Sequence, residues 1–287
     1  MSDISKGKNK EFSSIKELKS GSKLLSLDKP LVIGILNISP DSFYEGSRFP
    51  DVIDLLKQAE KMVGEGADIL DIGAVSTRPF ADEVSEQEEL ERLLPSLRKV
   101  RKEFPNLFIS VDTWRSNIAR IVIEEGADII NDVSGGCFDE KMAQTIAHYK
   151  KPFVLMHTKG DPKIMQVAPS YNDVNQEIMD FYTDRIKYFN DLGIDQLILD
   201  PGFGFGKSLE HNYQIIKHLK QYQSFELPIL VGVSRKSMIY KLLEITPADA
   251  LNGTTVLNTI ALLNGANILR VHDVKAAKEA IKIVSRI

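Results

Sequence analysis

Eight short apolar runs recur along this chain, and each ends in or beside a polar residue. Their hydrophobic residues follow one another almost without interruption, which is typical of parallel strands buried on both faces of a sheet. The runs are LVIGILN (31–37), DILDIG (68–73), FISVDT (108–113), DIINDV (128–133), PFVLMH (152–157), QLILD (196–200), PILVGVS (228–234) and NILRVHD (267–273). Segments with helical periodicity separate most of them, so the pattern predicts repeated parallel β-α units.

This alternation predicts a single-domain α/β protein with a (β/α)8 TIM barrel over residues 24–287, since such barrels reach about 250 residues. A doubly wound open sheet is the alternative that the same alternation allows. Residues 1–23 are polar and lack the apolar segment of a secretory signal. We interpret them as an N-terminal extension that either caps the bottom of the barrel or is disordered.

The composition narrows the class of protein. A net charge of −4, with acidic and basic residues interleaved, gives no reason to expect nucleic acid or an anionic membrane as a partner. Cys137 is the only cysteine, which excludes an intrachain disulfide and a cysteine-based metal site. No apolar run approaches the roughly 18 residues of a membrane span. The chain is therefore expected to be a soluble cytoplasmic protein.

The glycine-rich stretch DPGFGFGKS (200–208) ends in Lys-Ser, as a phosphate-binding P-loop does, but its spacing differs. A P-loop requires glycine five positions before the Gly-Lys pair, and that position is Pro201. The dinucleotide pattern G-x-G-x-x-G fails because Lys207 occupies its last position. What remains is an aspartate at the end of a strand, followed by a turn.

In a barrel of this type, chemistry is located at the carboxyl ends of the strands. The polar residues there are Asn37, Asp71, Asp112, Asn131, His157, Asp200, Lys236, Arg270 and His272. Arg270 and His272 are two positions apart, so on one strand they face the same way. The set predicts one polar mouth that holds a polar ligand.

Seven segments of the chain resemble the signature segments of the dihydropteroate synthase family, in the family's order. They are GILNISPDSF (34–43), STRP (76–79), SVDT (110–113), NDVSG (131–135), DPGFGFGK (200–207), SRKSMI (234–239) and RVHDV (270–274). The resemblance implies a transferase of folate biosynthesis that joins 6-hydroxymethyl-7,8-dihydropterin pyrophosphate to p-aminobenzoate, releasing 7,8-dihydropteroate and pyrophosphate. It also implies Mg²⁺ as cofactor, a homodimer, and inhibition by sulfonamides.

The resemblance also assigns the site residues. The pterin ring would contact Asp112, Asn131, Met156, Asp200, Lys236 and Arg270. The pyrophosphate would contact Asn37, Arg78, Arg270 and His272, with Asn37 also the Mg²⁺ ligand. p-Aminobenzoate would contact Phe43, Thr77, Pro79, Phe205, Lys236 and Ser237. Catalysis would depend on Asn37, Asp41, Arg78, Lys236, Arg270 and His272.

The chemistry of the reaction fits such a set. A pterin edge presents donors and acceptors side by side, so its slot needs carboxylates together with an amide or ammonium group. Charge grows on the departing pyrophosphate, and cationic groups stabilise it. The family mechanism is dissociative: pyrophosphate leaves first, and the aromatic amine captures the resulting pterin cation.

Two positions depart from the usual family pattern. Val75 stands where glutamate is common, and Phe80 where glycine is common, both beside the p-aminobenzoate pocket. They leave room for a non-catalytic pterin-binding paralogue as an alternative. A pterin-dependent methyltransferase domain is a second alternative, but it would not need the SRKS and STRP segments.

Overall fold

Parallel pairing closes the main sheet of this protein into a barrel. The computed structural model describes residues 15–38, 52–75, 84–160 and 169–287. Its strands are β1 (Glu17–Ser20), β2 (Lys23–Ser26), β3 (Leu31–Asn37), β4 (Ile69–Gly73), β5 (Phe108–Asp112), β6 (Ile129–Asp132), β7 (Phe153–Met156), β8 (Leu197–Asp200), β9 (Leu230–Val231) and β10 (Ile268–Val271).

Eight of these strands run in parallel in the spatial order β8-β7-β6-β5-β4-β3-β10-β9. Strand β3 pairs with β4 on one side and with β10 on the other, so the first and last barrel strands are neighbours. A parallel bridge between Leu199 and Ile229 joins β8 to the segment before β9 and completes the ring. The predicted (β/α)8 TIM barrel is confirmed, and this closure excludes the open sheet.

Helices follow the barrel strands. They are α1 (Val52–Gly64), α2 (Glu86–Glu103), α3 (Ser116–Glu124), α4 (Met142–Tyr149), α5 (Val174–Asp191), α6 (Leu209–Lys217), α7 (Ser237–Tyr240), α8 (Leu251–Leu263) and α9 (Val274–Val284), with 3₁₀ turns at Leu219–Phe225 and Pro247–Asp249. Ser85 caps the start of α2, and its hydroxyl accepts a hydrogen bond from the Glu88 N–H at 3.2 Å. Among the described residues, none of the helices has the length and apolar character that a membrane crossing needs.

The barrel interior changes from apolar to polar along the strand direction. Successive strand residues alternate between the helix layer and the interior. The lower interior layer is apolar and consists of Leu31, Ile33, Ile69, Phe108, Ile129, Val154, Ile198, Leu230 and Ile268. Two positions further along, Asp71, Asn131, Asp200 and Arg270 occupy the interior positions of their strands. Polar groups therefore gather at the carboxyl ends, as predicted.

An antiparallel hairpin of β1 and β2 covers the bottom of the barrel. Leu18 is fully buried against the lower interior layer. The Ser20 hydroxyl and the Lys23 ammonium each donate to the Asp128 carboxylate at 2.7 Å. The domain boundary predicted after residue 23 thus falls at the start of β2, inside an ordered hairpin, while residues 1–14 of the predicted extension lie outside the described residues.

Strand β9 is shorter than the predicted 228–234, because the chain turns soon after Val231. Arg235 adopts a left-handed backbone conformation with φ 55°. Its guanidinium makes two hydrogen bonds of 2.9 Å to the Asp273 carboxylate, which holds this turn against the chain that follows β10. The turn places Lys236 directly before α7.

Candidate active site

One row of residues crosses four neighbouring strands at the upper rim of the barrel. Asn37 pairs with Gly73, Gly73 with Asp112, and Asp112 with Asn131. Directly paired residues of parallel strands face the same side of the sheet, so all four face the interior. Three polar predicted residues are thereby brought together around a glycine.

Arg270 is the central cation of this mouth. Its Nε and Nη2 atoms lie 2.7 Å and 2.6 Å from Asp71 Oδ2, and Nη2 lies 3.3 Å from Asp112 Oδ2. Its side chain keeps 19% of its surface exposed, while that of Asp71 keeps 1%. Two carboxylates therefore fix the guanidinium in one orientation and leave part of it open to the mouth.

Asp71 is the functional candidate that received no role from the sequence. Besides binding Arg270, its Oδ2 accepts a hydrogen bond of 3.1 Å from Asn131 Nδ2. It orients two predicted ligand-binding side chains from below. The sequence did place Asp71 among the polar strand-end residues. Asp71 is two positions before Gly73, so both residues share the interior face of β4.

Burial perturbs the carboxyl group of Asp112 most clearly. Loss of solvent raises its pKa to about 7, although the Arg270 cation opposes this shift and the Asp71 carboxylate adds to it. A carboxyl with this pKa changes its protonation state near neutral pH. Asp112 can therefore be either an acceptor or a donor under working conditions.

Asp200 ends β8 on the other side of the mouth. Its Oδ1 accepts a hydrogen bond of 2.7 Å from the Gly202 N–H, which bends the chain away from the strand. Burial raises the pKa of Asp200, while the Lys236 cation opposes the shift. The glycine-rich stretch thus begins as the turn that the sequence predicted.

Lys236 reaches the mouth from the turn before α7. Its Nζ donates to the Phe203 carbonyl at 2.5 Å and lies 4.7 Å from the centre of the Phe205 ring. Burial lowers the pKa of Lys236 to about 8, and the Asp200 carboxylate opposes the shift. The structure thereby brings together Asp200, Phe205 and Lys236.

Lys207 holds the glycine-rich loop from inside. Its Nζ is buried and donates to three carbonyls, those of His157, Gly202 and Phe205, at 3.1, 2.9 and 3.0 Å. A side chain at Gly202 would place its Cβ 2.0 Å from the His157 carbonyl oxygen, and one at Gly206 would be 2.4 Å from the Lys159 carbonyl oxygen. The glycines therefore allow this loop to dock on the backbone that follows β7, which explains a motif that is not a P-loop.

His272 follows directly after the end of β10, two positions beyond Arg270. Its Nδ1 is 3.0 Å from the Ser234 hydroxyl oxygen, and its backbone N–H donates to the same oxygen at 3.2 Å. Desolvation of the ring and then the Arg270 cation lower the pKa of His272 to about 4, so the imidazole is neutral near pH 7. Ser234, which the sequence did not single out, fixes its orientation.

The remaining described positions differ in their relation to the mouth. Met156 is buried at the end of β7 and pairs with Asp200 across the sheet. Ser237 is the first residue of α7, a helix of only four residues. The ring of His157 instead packs edge-on against Phe181 of α5, at 5.1 Å between ring centres. His157 therefore belongs to the packing of α5 rather than to the predicted polar mouth.

Five predicted site residues lie outside the described residues: Asp41, Phe43, Thr77, Arg78 and Pro79. Phe80 does so as well. Two arginines contact described residues on either side of positions 76–83. Arg92 donates to the Ala74 carbonyl at 3.1 Å, and Arg115 donates to the Val84 carbonyl at 2.6 Å.

The donor set at Asn37 is compatible with a hard cation. Its side chain is exposed at the end of β3, and its Oδ1 lies beside Gly73, near Asp112. Mg²⁺ keeps several waters and substrate phosphate oxygens, so one or two protein oxygens suffice to hold it. Within the described ranges, no group of three histidine, cysteine, aspartate or glutamate side chains forms a metal site made by the protein alone.

Comparison with known proteins points to one family. Residues 33–272 match the family described as pterin binding enzyme. The dihydropteroate synthase of Escherichia coli strain K12 is 44% identical over 262 residues, which cover 91% of this chain and 92% of that protein.

Solved structures agree with the sequence match. The Yersinia pestis dihydropteroate synthase in complex with a sulfonamide drug superposes with a TM-score of 0.89 and 42% identity, covering 94% of this chain and 98% of that one. The Xanthomonas albilineans dihydropteroate synthase with 4-aminobenzoic acid gives a TM-score of 0.88 and 37% identity, covering 94% and 97% of the two chains.

Proposed function

This chain belongs to the dihydropteroate synthase family of pterin-binding enzymes, and on that premise we propose that it makes 7,8-dihydropteroate. The substrates are 6-hydroxymethyl-7,8-dihydropterin pyrophosphate and p-aminobenzoate, and pyrophosphate is the second product. The observation that carries the proposal is the gathering of three carboxylates, an amide, a lysine and an arginine at one barrel mouth.

The pterin ring is bound by the side of the mouth that holds Asp112, Asn131, Asp200 and Lys236. The carboxylates accept hydrogen bonds from the N–H groups of the ring, and the amide and ammonium groups donate to its carbonyl and ring nitrogens. A ligand without this edge leaves buried polar groups unpaired, at about 1–3 kcal/mol each. Met156, buried beside Asp200, supplies an apolar contact for the ring.

The pyrophosphate is bound by Asn37, Arg270 and His272, together with Arg78. Arg270 already has a fixed orientation, because Asp71 and Asp112 hold it before any ligand arrives. A preoriented cation stabilises the charge of the leaving group without further rearrangement. Mg²⁺, held by Asn37 and by phosphate oxygens, would neutralise further charge on the leaving group.

p-Aminobenzoate is bound beside Lys236, between the Phe205 ring and Ser237. Phe43, Thr77 and Pro79 complete this pocket. Sulfonamides occupy the same position as competitive inhibitors. The 4.7 Å distance between the Lys236 ammonium and the Phe205 ring supports a pocket that offers both charge and an aromatic face.

The reaction proceeds by dissociation. The bond between the 6-methylene carbon and the pyrophosphate oxygen breaks, and its electron pair leaves with the pyrophosphate. The amine nitrogen of p-aminobenzoate then bonds to the methylene carbon and loses one proton. Asp41 and Arg78 belong to segments that exclude water from the cation during this interval.

We also propose a homodimer, which an exposed apolar strip on α8 supports. Val256, Ile260 and Leu263 follow a helical spacing and are 50%, 36% and 55% exposed. Leu243, 49% exposed, lies against the same helix at Gly253. A surface strip of this kind marks a protein interface. Light scattering of Val256→Lys should show monomers, whereas Leu192→Lys, directly after the end of α5, should leave dimers intact. Dimers in both variants would contradict this interface.

A cytoplasmic location is part of the proposal as well. Because Cys137 is the only cysteine, the fold makes no use of an oxidising compartment for an intrachain disulfide.

Turnover of purified protein tests the proposed activity. Pyrophosphate release is measured with dihydropterin pyrophosphate and Mg²⁺, with and without p-aminobenzoate, and dihydropteroate is quantified by chromatography. The proposal predicts dihydropteroate only when both substrates are present, in a one-to-one ratio with pyrophosphate. If the protein binds the pterin but forms no dihydropteroate, it is a non-catalytic pterin-binding protein and the proposed activity is wrong.

A further inference from the structure

Gly73 lies where a side chain would enter the candidate active site. It is the last residue of β4 and pairs directly with Asn37 on one side and Asp112 on the other. Its φ angle is outside the left-handed region, so its backbone conformation is one that other residues adopt. The backbone therefore does not require glycine here.

Packing among the described residues does not require it either. A Cβ atom at position 73 would lie 3.4 Å from Asp112 Cβ, 3.6 Å from Asn37 Oδ1 and 3.8 Å from Asp112 Oδ2, which are ordinary contact distances. In contrast, a Cβ at Gly34 would lie 2.8 Å from Met62 Sδ. Gly34 is thus explained by the protein itself, whereas Gly73 is not.

The position of Gly73 in the sheet indicates what its missing side chain leaves open. Adjacent strands are about 4.8 Å apart, so Asn37 and Asp112 are separated by two such intervals with only a glycine between them. Asn37 belongs to the set that we assign to the pyrophosphate, and Asp112 to the set that we assign to the pterin ring. In the substrate, a single methylene group and one oxygen connect these two parts.

We infer that Gly73 is a specificity-determining residue, which keeps the space between Asn37 and Asp112 open for the 6-methylene group and the oxygen that joins it to pyrophosphate. This inference rests on the proposed function and deepens it. It concerns the substituent on the ring, because the ring itself is recognised on the far side of Asp112.

Gly73→Ala should therefore separate binding of the substituted pterin from binding of the bare ring. The added methyl group occupies space that the protein leaves free but the substituted ligand needs. One methyl group in a fitted pocket changes discrimination by roughly 10–200-fold. We expect the dissociation constant for dihydropterin pyrophosphate to rise at least about tenfold, and that for 7,8-dihydropterin, which lacks the 6-substituent, to change less than twofold.

Calorimetric titration of both ligands into three proteins tests this. The proteins are the wild type, Gly73→Ala, and Gly64→Ala as the matched control. Gly64 ends α1 and also lacks a left-handed φ, and apart from its own helix backbone and chain neighbours, no atom of the described residues lies within 4 Å of its added Cβ. The control should bind both ligands as the wild type does, and all three proteins should melt at the same temperature within a few degrees.

Several results would overturn the inference. Equal binding of dihydropterin pyrophosphate by wild type and Gly73→Ala would show that the space is not used. An equal loss for both ligands would place the effect at the ring, and a large fall in melting temperature would mean that the protein itself requires glycine. If the wild type turns over its substrates and Gly73→Ala binds both ligands normally, only this inference is refuted. If the wild type binds neither pterin, the proposed function and this inference are both refuted.

Discussion

Replacing Asp71 with asparagine would remove the charge that orients Arg270 while keeping the size of the side chain. The Asp71 carboxylate is fully buried and makes contacts of 2.7 Å and 2.6 Å with the Arg270 guanidinium. Removing one partner of a buried ion pair destabilises a protein by about 3–5 kcal/mol. Arg270 retains Asp112 at 3.3 Å and is 19% exposed to solvent, so part of this loss is recovered.

The expected loss of stability for Asp71→Asn is therefore about 2–3 kcal/mol, somewhat below that range. Urea unfolding followed by circular dichroism measures it. Asp54→Asn is the matched control, because its ion pair with Lys57 is largely exposed and such changes stay within about 0.5 kcal/mol. The double variant Asp71→Asn/Arg270→Met should lose less stability than the sum of the losses in the two single variants.

The same change should weaken substrate binding. The neutral amide oxygen that replaces the carboxylate is a weaker acceptor for Asn131 Nδ2, which lies 3.1 Å from Asp71 Oδ2, and it holds Arg270 less firmly. Displacements on the scale of 1 Å reduce rates by up to about 100-fold, so KM for the pterin substrate should rise at least tenfold. A loss of stability below about 1 kcal/mol together with an unchanged KM would refute the role assigned to Asp71.

Three further predictions concern the loop, the titration of the mouth, and the hairpin. Lys207→Met should destabilise the protein by about 2–4 kcal/mol in urea unfolding, because three carbonyls lose a charged donor. Lys217→Met, on the exposed surface of α6, should have no effect. Equal stability of the two variants would contradict the role of the loop lysine. The value of kcat/KM should rise as pH increases through about 7, because burial raises the pKa of Asp112 to that value. Only the carboxylate form of Asp112 accepts a hydrogen bond from a pterin N–H. If Asp112→Asn shows the same pH dependence, that dependence belongs to another group. Leu18→Ala should lower the free energy of unfolding by about 3 kcal/mol, because this side chain is fully buried. Leu24→Ala, on the exposed face of the same hairpin, should lower it by less than about 0.5 kcal/mol. Similar values for both variants would show that the hairpin does not pack against the bottom of the barrel.

The barrel could be predicted because its strands carry a strong, repeated signal. Apolar runs such as QLILD and FISVDT are buried on both faces, and a glycine precedes several of them. Each strand and helix can therefore be predicted from a short stretch of sequence. The start of α2 at Ser85 and of α5 after Asp173 follows from capping chemistry in the same way. These features depend on neighbours in sequence.

Features that depend on distant residues were missed or misplaced. The hairpin at residues 17–26 is anchored through Asp128, more than 100 positions away, so local polarity alone placed a domain boundary inside it. Strand β9 ends earlier than predicted, at a turn that Arg235 holds through Asp273, a residue 38 positions away that follows the neighbouring strand β10.

The candidate site shows the same division. The sequence identified Asp112, Asn131, Asp200 and Arg270 at strand ends together with Asp71. Asp71 received no role of its own, because its pairing with Arg270 is visible only in the fold. Lys207 could be excluded from a P-loop by spacing, but its three carbonyl partners come from a fold that brings two loops together. The assignments of ligand contacts to these residues remain predictions.

A crystal structure of the protein with dihydropterin pyrophosphate is the most direct test of the account. We predict the pterin ring within hydrogen-bond distance of Asp112, Asn131 and Asp200, and the pyrophosphate beside Arg270 and His272. A ring bound elsewhere, or one bound in the mouth with its pyrophosphate directed away from Arg270, would contradict the account.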